Sequence, residues 1–415
     1  MDMKRMDAIK ALYGDRNGEA EKQAARYEKL AAWHKELYGD KGEVLFVSAP
    51  GRTEIAGNHT DHNNGRVLAA SVTLDTVAAI TPNDTNTVTL YSEGFNKPFI
   101  VDLNNLEATK AEYETTTSLI RGVAAAMKNN GYKIGGFDAA VTSTVFKGSG
   151  LSSSAAFEVM IVCAFDALYN GWVVSPEKAA IMSKYAENVY FGKPSGLLDQ
   201  MASSVGGLVT MDFKTEDAQI EALSYDFAEK GFAICVVCVG GEHGNLTADY
   251  AAVPAEMKAV AKELGATVLR EIAPEEMEKA IPQLKGKVTD RAIMRALHFY
   301  DEDARVPGLV EALKNDDVET FLKGIIASGE SSWKLLQNLY VPGSDNQEMA
   351  LALELSRRML QGKGAWRIHG GGFAGTILAF VPFDMLDAYA ERMNSVFGEN
   401  ACNVLGIRPV GGARI

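Results

Sequence analysis

Lys147-Gly148-Ser149-Gly150-Leu151-Ser152-Ser153-Ser154-Ala155-Ala156 is the stretch on which the reading of the fold turns. GGFDAAVTSTVF (135–146), rich in β-branched and small apolar residues, reads as the strand that leads into it. SSSAAFEVMIVCAFDALYN (152–170) reads as the helix that leads out. A strand ending in Gly-x-Gly and a helix opening on three serines form an anion site. Unpaired N–H groups at the helix start carry partial positive charge, and glycines let phosphates approach the backbone. One serine hydroxyl could also ligate Mg²⁺. An ordinary capped helix needs fewer serines and glycines than this. The stretch is not a Walker loop, since no G-x-x-x-x-G-K-[ST] occurs, and no H-R-D or D-F-G is present. Position 153 is Ser, so G-x-G-x-x-G is absent and a dinucleotide fold is disfavoured.

Three further segments carry chemistry. SAPGRTEIAGNHTDHNNG (48–65) packs Arg52, Asn58, His59, Asp61 and His62 into eleven residues between two expected strands. Polar side chains at that density suit a polyhydroxyl ligand, because each hydroxyl needs a donor and an acceptor. A His59–His62 metal pair competes with this reading, but Asp61 is the only carboxylate close by and no third His is near. Glu187, expected in a helix, is followed by Gly196-Leu197-Leu198-Asp199-Gln200; two carboxylates there could serve as metal ligand and acid/base. Surface carboxylates would look the same. His369-Gly370-Gly371-Gly372-Phe373-Ala374-Gly375 lies between two apolar strands, as a tight hairpin or a ligand loop.

Around these segments, residues 1–38 read as helical and VLFVSAP as a short strand ending at Pro50-Gly51. Residues 66–80, TNTVTLYSEG, KPFIVDL, GGLVTMDF and FAICVVCV read as strands; 117–130 and 175–190 as helices, the latter capped by Ser175-Pro176. Residues 253–300, 317–340 and 346–361 are expected to be mostly helical, then AWRIHGGGFAGTILAFVP strand–turn–strand, a helix from about Asp384 and a final strand. Strands and helices mix without a βαβ repeat, which favours α+β. At 415 residues two domains are expected, 1–215 and 216–415, with 1–38 as a helical extension.

Composition limits the function classes. Lys plus Arg is 41 and Asp plus Glu is 54, a net charge of −13, which leaves no basic field for nucleic acid. Hydrophobic residues at 47% indicate a globular chain. MDMKRMDAIKALYGD lacks the apolar core of a signal peptide and no apolar run approaches a membrane span, so a cytoplasmic protein without membrane contact is expected. Four cysteines fit a reducing compartment. Cys235 and Cys238 form C-x-x-C inside an apolar strand, where buried thiols are favoured over a redox or metal pair.

Taken together, from Leu45 to about Val410, these segments resemble the galactokinase branch of the GHMP small-molecule kinases. APGRTEIAGNHTDHNNG (49–65) is similar to the family's sugar signature, GSGLSSSAA (148–156) to its phosphate loop and HGGGFAG (369–375) to its third motif. GLLDQMASSVGG (196–207) is similar to the segment with the catalytic Asp, and RALHFYDEDARV (295–306) and ASGESSWKLLQNLYVP (327–342) to two C-terminal segments. The resemblance implies a two-domain α+β GHMP kinase fold, with a ribosomal-protein-S5-like N-terminal domain, a ferredoxin-like C-terminal domain and the active site in the cleft between them. It implies transfer of phosphate from ATP, with Mg²⁺, to the C1 hydroxyl of galactose. Arg52 and Asp199 would be the catalytic pair, and Ser154 and Glu187 the Mg²⁺ ligands. Gly148, Ser149, Gly150, Leu151, Ser152, Ser153 and Ser154 would wrap the ATP phosphates. Asn58, His59, Asp61, Gly196 and Tyr250 would line the sugar pocket.

The chain departs from the family pattern in several places. Asn58 stands where Glu is usual, His62 replaces Tyr, Glu330 replaces His, Phe146-Lys147 replaces an apolar lead, and the Trp expected before Arg121-Gly122-Val123 is missing. Asn at 58 swaps a pure acceptor for a donor and acceptor, which could admit a C6-modified sugar. A kinase for galacturonate, N-acetylgalactosamine or arabinose is therefore the alternative, with a non-catalytic sugar sensor as the other. The partners implied are a small sugar and ATP, in a monomer or weak homodimer.

Overall fold

The computed structural model describes residues 3–15, 18–145, 150–193, 195–215, 218–240, 246–373 and 375–415. Two helices open the chain, α1 (Met3–Tyr13) and α2 (Glu19–Tyr38). Seven strands follow, interrupted by four helices: β1 (Leu45–Ala56), β2 (Arg66–Pro82), β3 (Thr87–Ser92), β4 (Phe99–Asp102), α3 (Thr116–Asn129), β5 (Phe137–Ser143), α4 (Ser153–Phe165), α5 (Pro176–Tyr185), α6 (Leu198–Val205), β6 (Leu208–Asp212) and β7 (Gln219–Leu223). The second half holds β8 (Phe232–Gly240), α7 (Thr247–Glu263), α8 (Pro274–Leu284), α9 (Asp290–Lys314), α10 (Val318–Ser331), α11 (Glu348–Leu360), β9 (Ala365–Ile368), β10 (Gly375–Pro382), α12 (Leu386–Phe397), β11 (Cys402–Leu405) and β12 (Ala413–Arg414).

The first sheet runs β12-β1-β2-β5-β3-β4, with β6 also paired to β2 and β7 to β6; the second runs β11-β8-β10-β9. Among the strand pairs of the described residues, only β3–β5 is parallel. Helix α4 buries nearly all of its residues from Ala155 to Phe165, as a helix apolar on every side must. With α3 and α5 it packs on one face of the first sheet, around Val123, Phe137, Val159 and Met182. The other face is covered by α1 and α2 through Ile9, Tyr27, Phe46 and Val77. The N-terminal helices are pinned by a buried polar knot. Asp75 of β2 accepts from Arg26 at 2.6 Å, from Arg408 at 2.9 Å, and from Tyr13 and Ser48. A third core joins the two halves, with Ile55, Val145 and Leu151 packed among Val306, Phe321 and Phe380.

Three local expectations differ from the structure. β1 does not stop at Pro50-Gly51 but runs to Ala56, with register shifts between Pro50 and Arg52 and between Glu54 and Ala56. The extra residue of a bulge absorbs the Pro-Gly pair and re-aims the side chains beyond it, so Arg52 sits on a strand and not in a loop. Helix α6 was not anticipated; its first turn carries Asp199. The sheet of the first half continues past residue 216, since β7 pairs with β6 and β12 returns to β1. No helix among the described residues is long and apolar enough to cross a membrane. Cys235 is buried in β8 and Cys238 half-buried, and no three-residue cluster of His, Cys, Asp or Glu able to hold a metal is found among the described residues.

Candidate active site

The loop leading into α4 and the strand carrying Arg52 are hydrogen-bonded to each other. The Arg52 amide donates to Leu151 O at 2.9 Å, and the Arg52 guanidinium donates to Gly150 O. Gly150 has φ +69°, and a Cβ there would come within 2.4 Å of Thr376 Oγ1 and 2.9 Å of His369 Nδ1. No other residue fits, so the glycine of the loop is dictated by the third motif packing onto it. Ser152 is left-handed, at φ 58°, and its side chain does not cap α4. The hydroxyl donates instead to Asp199 Oδ2 at 2.7 Å. With no side chain capping it, the N-terminus of α4 keeps donors for an anion. Leu151 contributes backbone only, since its side chain is buried in the apolar core. Ser153 and Ser154 are half-exposed in the first turn. Gly148 and Ser149 lie outside the described residues.

Asp199 is the centre of the site. Arg52 Nε donates to Asp199 Oδ1 at 2.6 Å, opposite the Ser152 contact. Burial pushes the Asp199 carboxyl up, but the Arg52 charge and the hydrogen bonds from Arg52 and Ser152 outweigh it and hold it below the ordinary carboxylate value. Asp199 is therefore ionised at neutral pH.

Glu187 sits in a π-helical turn, Ala186–Phe191, that extends α5; such turns recur at functional sites because they re-aim a side chain. Its Oε1 accepts from Ser154 Oγ at 3.0 Å and from Lys193 Nζ at 2.9 Å, and its Oε2 accepts from Gln200 Nε2 at 2.7 Å. Gln200 Nε2 also reaches Glu158 Oε2 at 3.2 Å. Glu158 is fully buried, and desolvation together with the Glu187 charge pushes its carboxyl well above the ordinary value. Lys193, Gln200 and Glu158 were not singled out as site residues from sequence. Only the position of Gln200 directly after Asp199 gave a signal for one of them.

The sugar-signature residues divide. The half-buried Asp61 carboxylate receives no hydrogen bond among the described residues, and Gly196 lies against it: a Cβ on Gly196 would be 1.8 Å from Asp61 Oδ2. His59 Nε2 lies 2.9 Å from Gly371 O, so that nitrogen carries the proton, and the buried Nδ1 is left as an acceptor with no partner among the described residues. Burial and the neighbouring His62 push the His59 pKa down to about 3, keeping the ring neutral. Tyr250 donates to Gly372 O at 2.6 Å and its ring covers Gly371.

Asn58 does not line a pocket. It is fully buried, its amide donating to Glu54 Oε1 at 3.0 Å and Gly370 O at 2.7 Å, while its oxygen accepts from Ser332 Oγ at 3.2 Å and Asn338 Nδ2 at 2.9 Å. All four of its hydrogen-bonding positions are taken by protein. The expectation that it meets the sugar is corrected to an internal tie between the signature loop and the C-terminal half. His298 Nε2 of α9 lies 2.9 Å from Asn58 O, and Glu302 accepts from the Gly57 amide at 2.9 Å, which hold the same loop. Glu54 pairs with the buried Arg367 at 2.7 Å. His59 and His62 stack at 5.6 Å.

Comparison with known proteins gives the family. The galactokinase galactose-binding signature matches residues 32–82, and the GHMP kinases N-terminal domain matches residues 118–207. A galactokinase of Pyrococcus furiosus is 32% identical, over 82% of this chain and 90% of that protein. One of Streptomyces coelicolor is 29% identical, over 92% and 96% respectively. The structure of Lactococcus lactis galactokinase complexed with galactose superposes with a TM-score of 0.82 at 25% identity, covering 95% of this chain and all of that one. Methanococcus jannaschii mevalonate kinase shares the fold, with a TM-score of 0.63 at 17% identity over 88% of this chain and 99% of that one. With the Arg52–Asp199 pair and the open helix start in place, and a relative this similar along most of its length, the chain belongs to the galactokinase family of the GHMP kinases and is an ATP-dependent sugar kinase.

Proposed function

We propose that the chain transfers the γ-phosphoryl group of ATP to the anomeric C1 hydroxyl of D-galactose, giving galactose 1-phosphate, the entry to galactose catabolism. The observation that carries this is the ionised Asp199 held between Arg52 and Ser152 at the uncapped start of α4. Asp61, Gly196, His59 Nδ1 and Tyr250 supply the polar wall for the sugar. The loop from Gly150 and the N-terminus of α4 that it leads into, through Ser154, supply donors for the phosphates.

Asp199 orients the attacking hydroxyl through a lone pair. Held low by Arg52, it is a weak base, so it takes the proton only as the hydroxyl oxygen bonds to phosphorus and becomes acidic. Arg52 keeps that carboxylate ionised and, through its contact with Gly150 O, fixes the loop against which the phosphoryl charge develops. Ser154 and Glu187 place hard oxygen donors 3.0 Å apart, a donor set that fits Mg²⁺, and these two would hold it. When bound, the ion would neutralise charge on the β- and γ-phosphates. Arg52, Ser152, Lys193 and the amides of α4 act on the same region whatever the net charge of −13 does at long range.

The test is a coupled kinase assay with ATP over galactose, its C2 and C6 variants, galacturonate, N-acetylgalactosamine and arabinose. Galactose should have the highest kcat/KM. A C6-altered sugar preferred tenfold would move the assignment within the family, and no ATP turnover with any sugar would favour the sensor. A cytoplasmic monomer or weak homodimer completes this reading; light scattering across protein concentration checks the second part.

A further inference from the structure

The geometry points to Lys193 as an internal cation that competes with a divalent ion for Glu187 and is exchanged for it when the site loads. This rests on the reading of Glu187 as a metal ligand. Among the described residues Lys193 is the one cation bonded to Glu187, through Oε1 at 2.9 Å, and Ser154 Oγ bonds the same oxygen at 3.0 Å. An ion held jointly by Ser154 and Glu187 must therefore take the place of the Lys193 ammonium. Gln200 on Oε2 is neutral and can stay. Glu187 is almost fully buried, so it needs a positive partner at all times. The Lys193 side chain is half-exposed, at 55%, and so can leave the carboxylate for solvent or phosphate. The main chain need not move: the Lys193 amide stays bonded to Glu187 O at 3.1 Å. The same ammonium also interacts electrostatically with Asp199 and Glu158.

The exchange makes Lys193 a positioning residue that keeps Glu187 oriented while empty of metal and sets the threshold for metal binding. The experiment is titration of the full chain with Mn²⁺ alone, without nucleotide, followed by the electron paramagnetic resonance of free Mn²⁺. Lys193→Met should bind Mn²⁺ about five- to tenfold more tightly than wild type, because no ammonium competes. Lys193→Arg should return the affinity to near the wild-type value. The double variant Lys193→Met/Glu187→Gln should lose the gain. A second readout is thermal: Lys193→Met should melt lower than wild type without metal and recover most of the difference with 10-fold excess Mn²⁺ over its dissociation constant. If Lys193→Met leaves Mn²⁺ affinity unchanged while Glu187→Gln weakens Mn²⁺ binding in the presence of ADP, the exchange is overturned and the metal reading stands. If Glu187→Gln has no effect on Mn²⁺ with ADP, the metal reading falls and the exchange with it.

Discussion

Arg52 and Asp199 come from segments 147 residues apart, yet Nε and Oδ1 lie 2.6 Å apart and the side chains are mostly shielded from solvent. One sits on the bulged part of β1 and the other on the first turn of α6. Their pairing decides the ionisation of the carboxylate and orients it toward the start of α4.

Asp199→Asn keeps the shape and removes the charge. Turnover should fall at least ~100-fold, since positioned base assistance is typically 10²–10⁴-fold. Sugar affinity, measured by calorimetry without ATP, should change less than about threefold. Retention of near wild-type kcat would remove Asp199 from its assigned role.

Ser152→Ala removes one of the two hydrogen bonds that hold the Asp199 carboxyl low. The acid limb of the kcat/KM profile, which marks protonation of that carboxylate, should move to higher pH. In the wild type the same limb should lie below the ordinary aspartate value of 3.8, wherever the fold survives. An unmoved limb in the variant would show that another group titrates.

Gly196→Ala places a methyl where Asp61 Oδ2 now sits, 1.8 Å from the Cβ position. The carboxylate must turn away. KM for sugar should rise at least ~10-fold, about 1.4 kcal/mol of lost binding, with KM for ATP nearly unchanged. Equal changes in both constants would argue that Asp61 and Gly196 do not face the sugar.

Asn58→Asp should act on stability. It turns both amide donors into acceptors facing Glu54 and a carbonyl, in a buried place. Loss of about 2–4 kcal/mol in urea unfolding is expected. The ratio of kcat/KM between galactose and a C6 variant should stay within about twofold; a large change in that ratio would put Asn58 back at the sugar.

Asp75 links stability to pH. Burial pushes its carboxyl up, but Arg26, Arg408 and the Ser48 and Tyr13 hydroxyls hold it below the ordinary value of 3.8. Its stabilising contribution is thus complete above that value and is lost as pH falls through the folded value. Arg408→Met, which leaves Asp75 with Arg26 as its remaining cation, should cost about 3–5 kcal/mol at pH 7. The same variant should show a weaker fall of stability at acid pH than wild type.

The strand β5, the helix that begins at Ser153, the cap at Ser175 and the two strands around His369-Gly370-Gly371-Gly372 were readable in the chain because each is a local pattern: period, cap or turn. Charge and apolar content likewise pointed to a globular chain without a basic field, without help from the fold. Family motifs named Arg52, Asp199, Ser154 and Glu187 as partners. Contact across distance was not readable. Only the tertiary structure carried β1 through Pro50-Gly51, gave Asp199 a helix, and aimed the Ser152 hydroxyl at Asp199. It also drew Asn58 into a closed set of hydrogen bonds with Gly370, Ser332 and Asn338, between 274 and 312 residues away, and set Lys193 on Glu187. Those outcomes depend on which buried polar groups find partners when two sheets and their helices close on one shared core. No window of sequence contains that information.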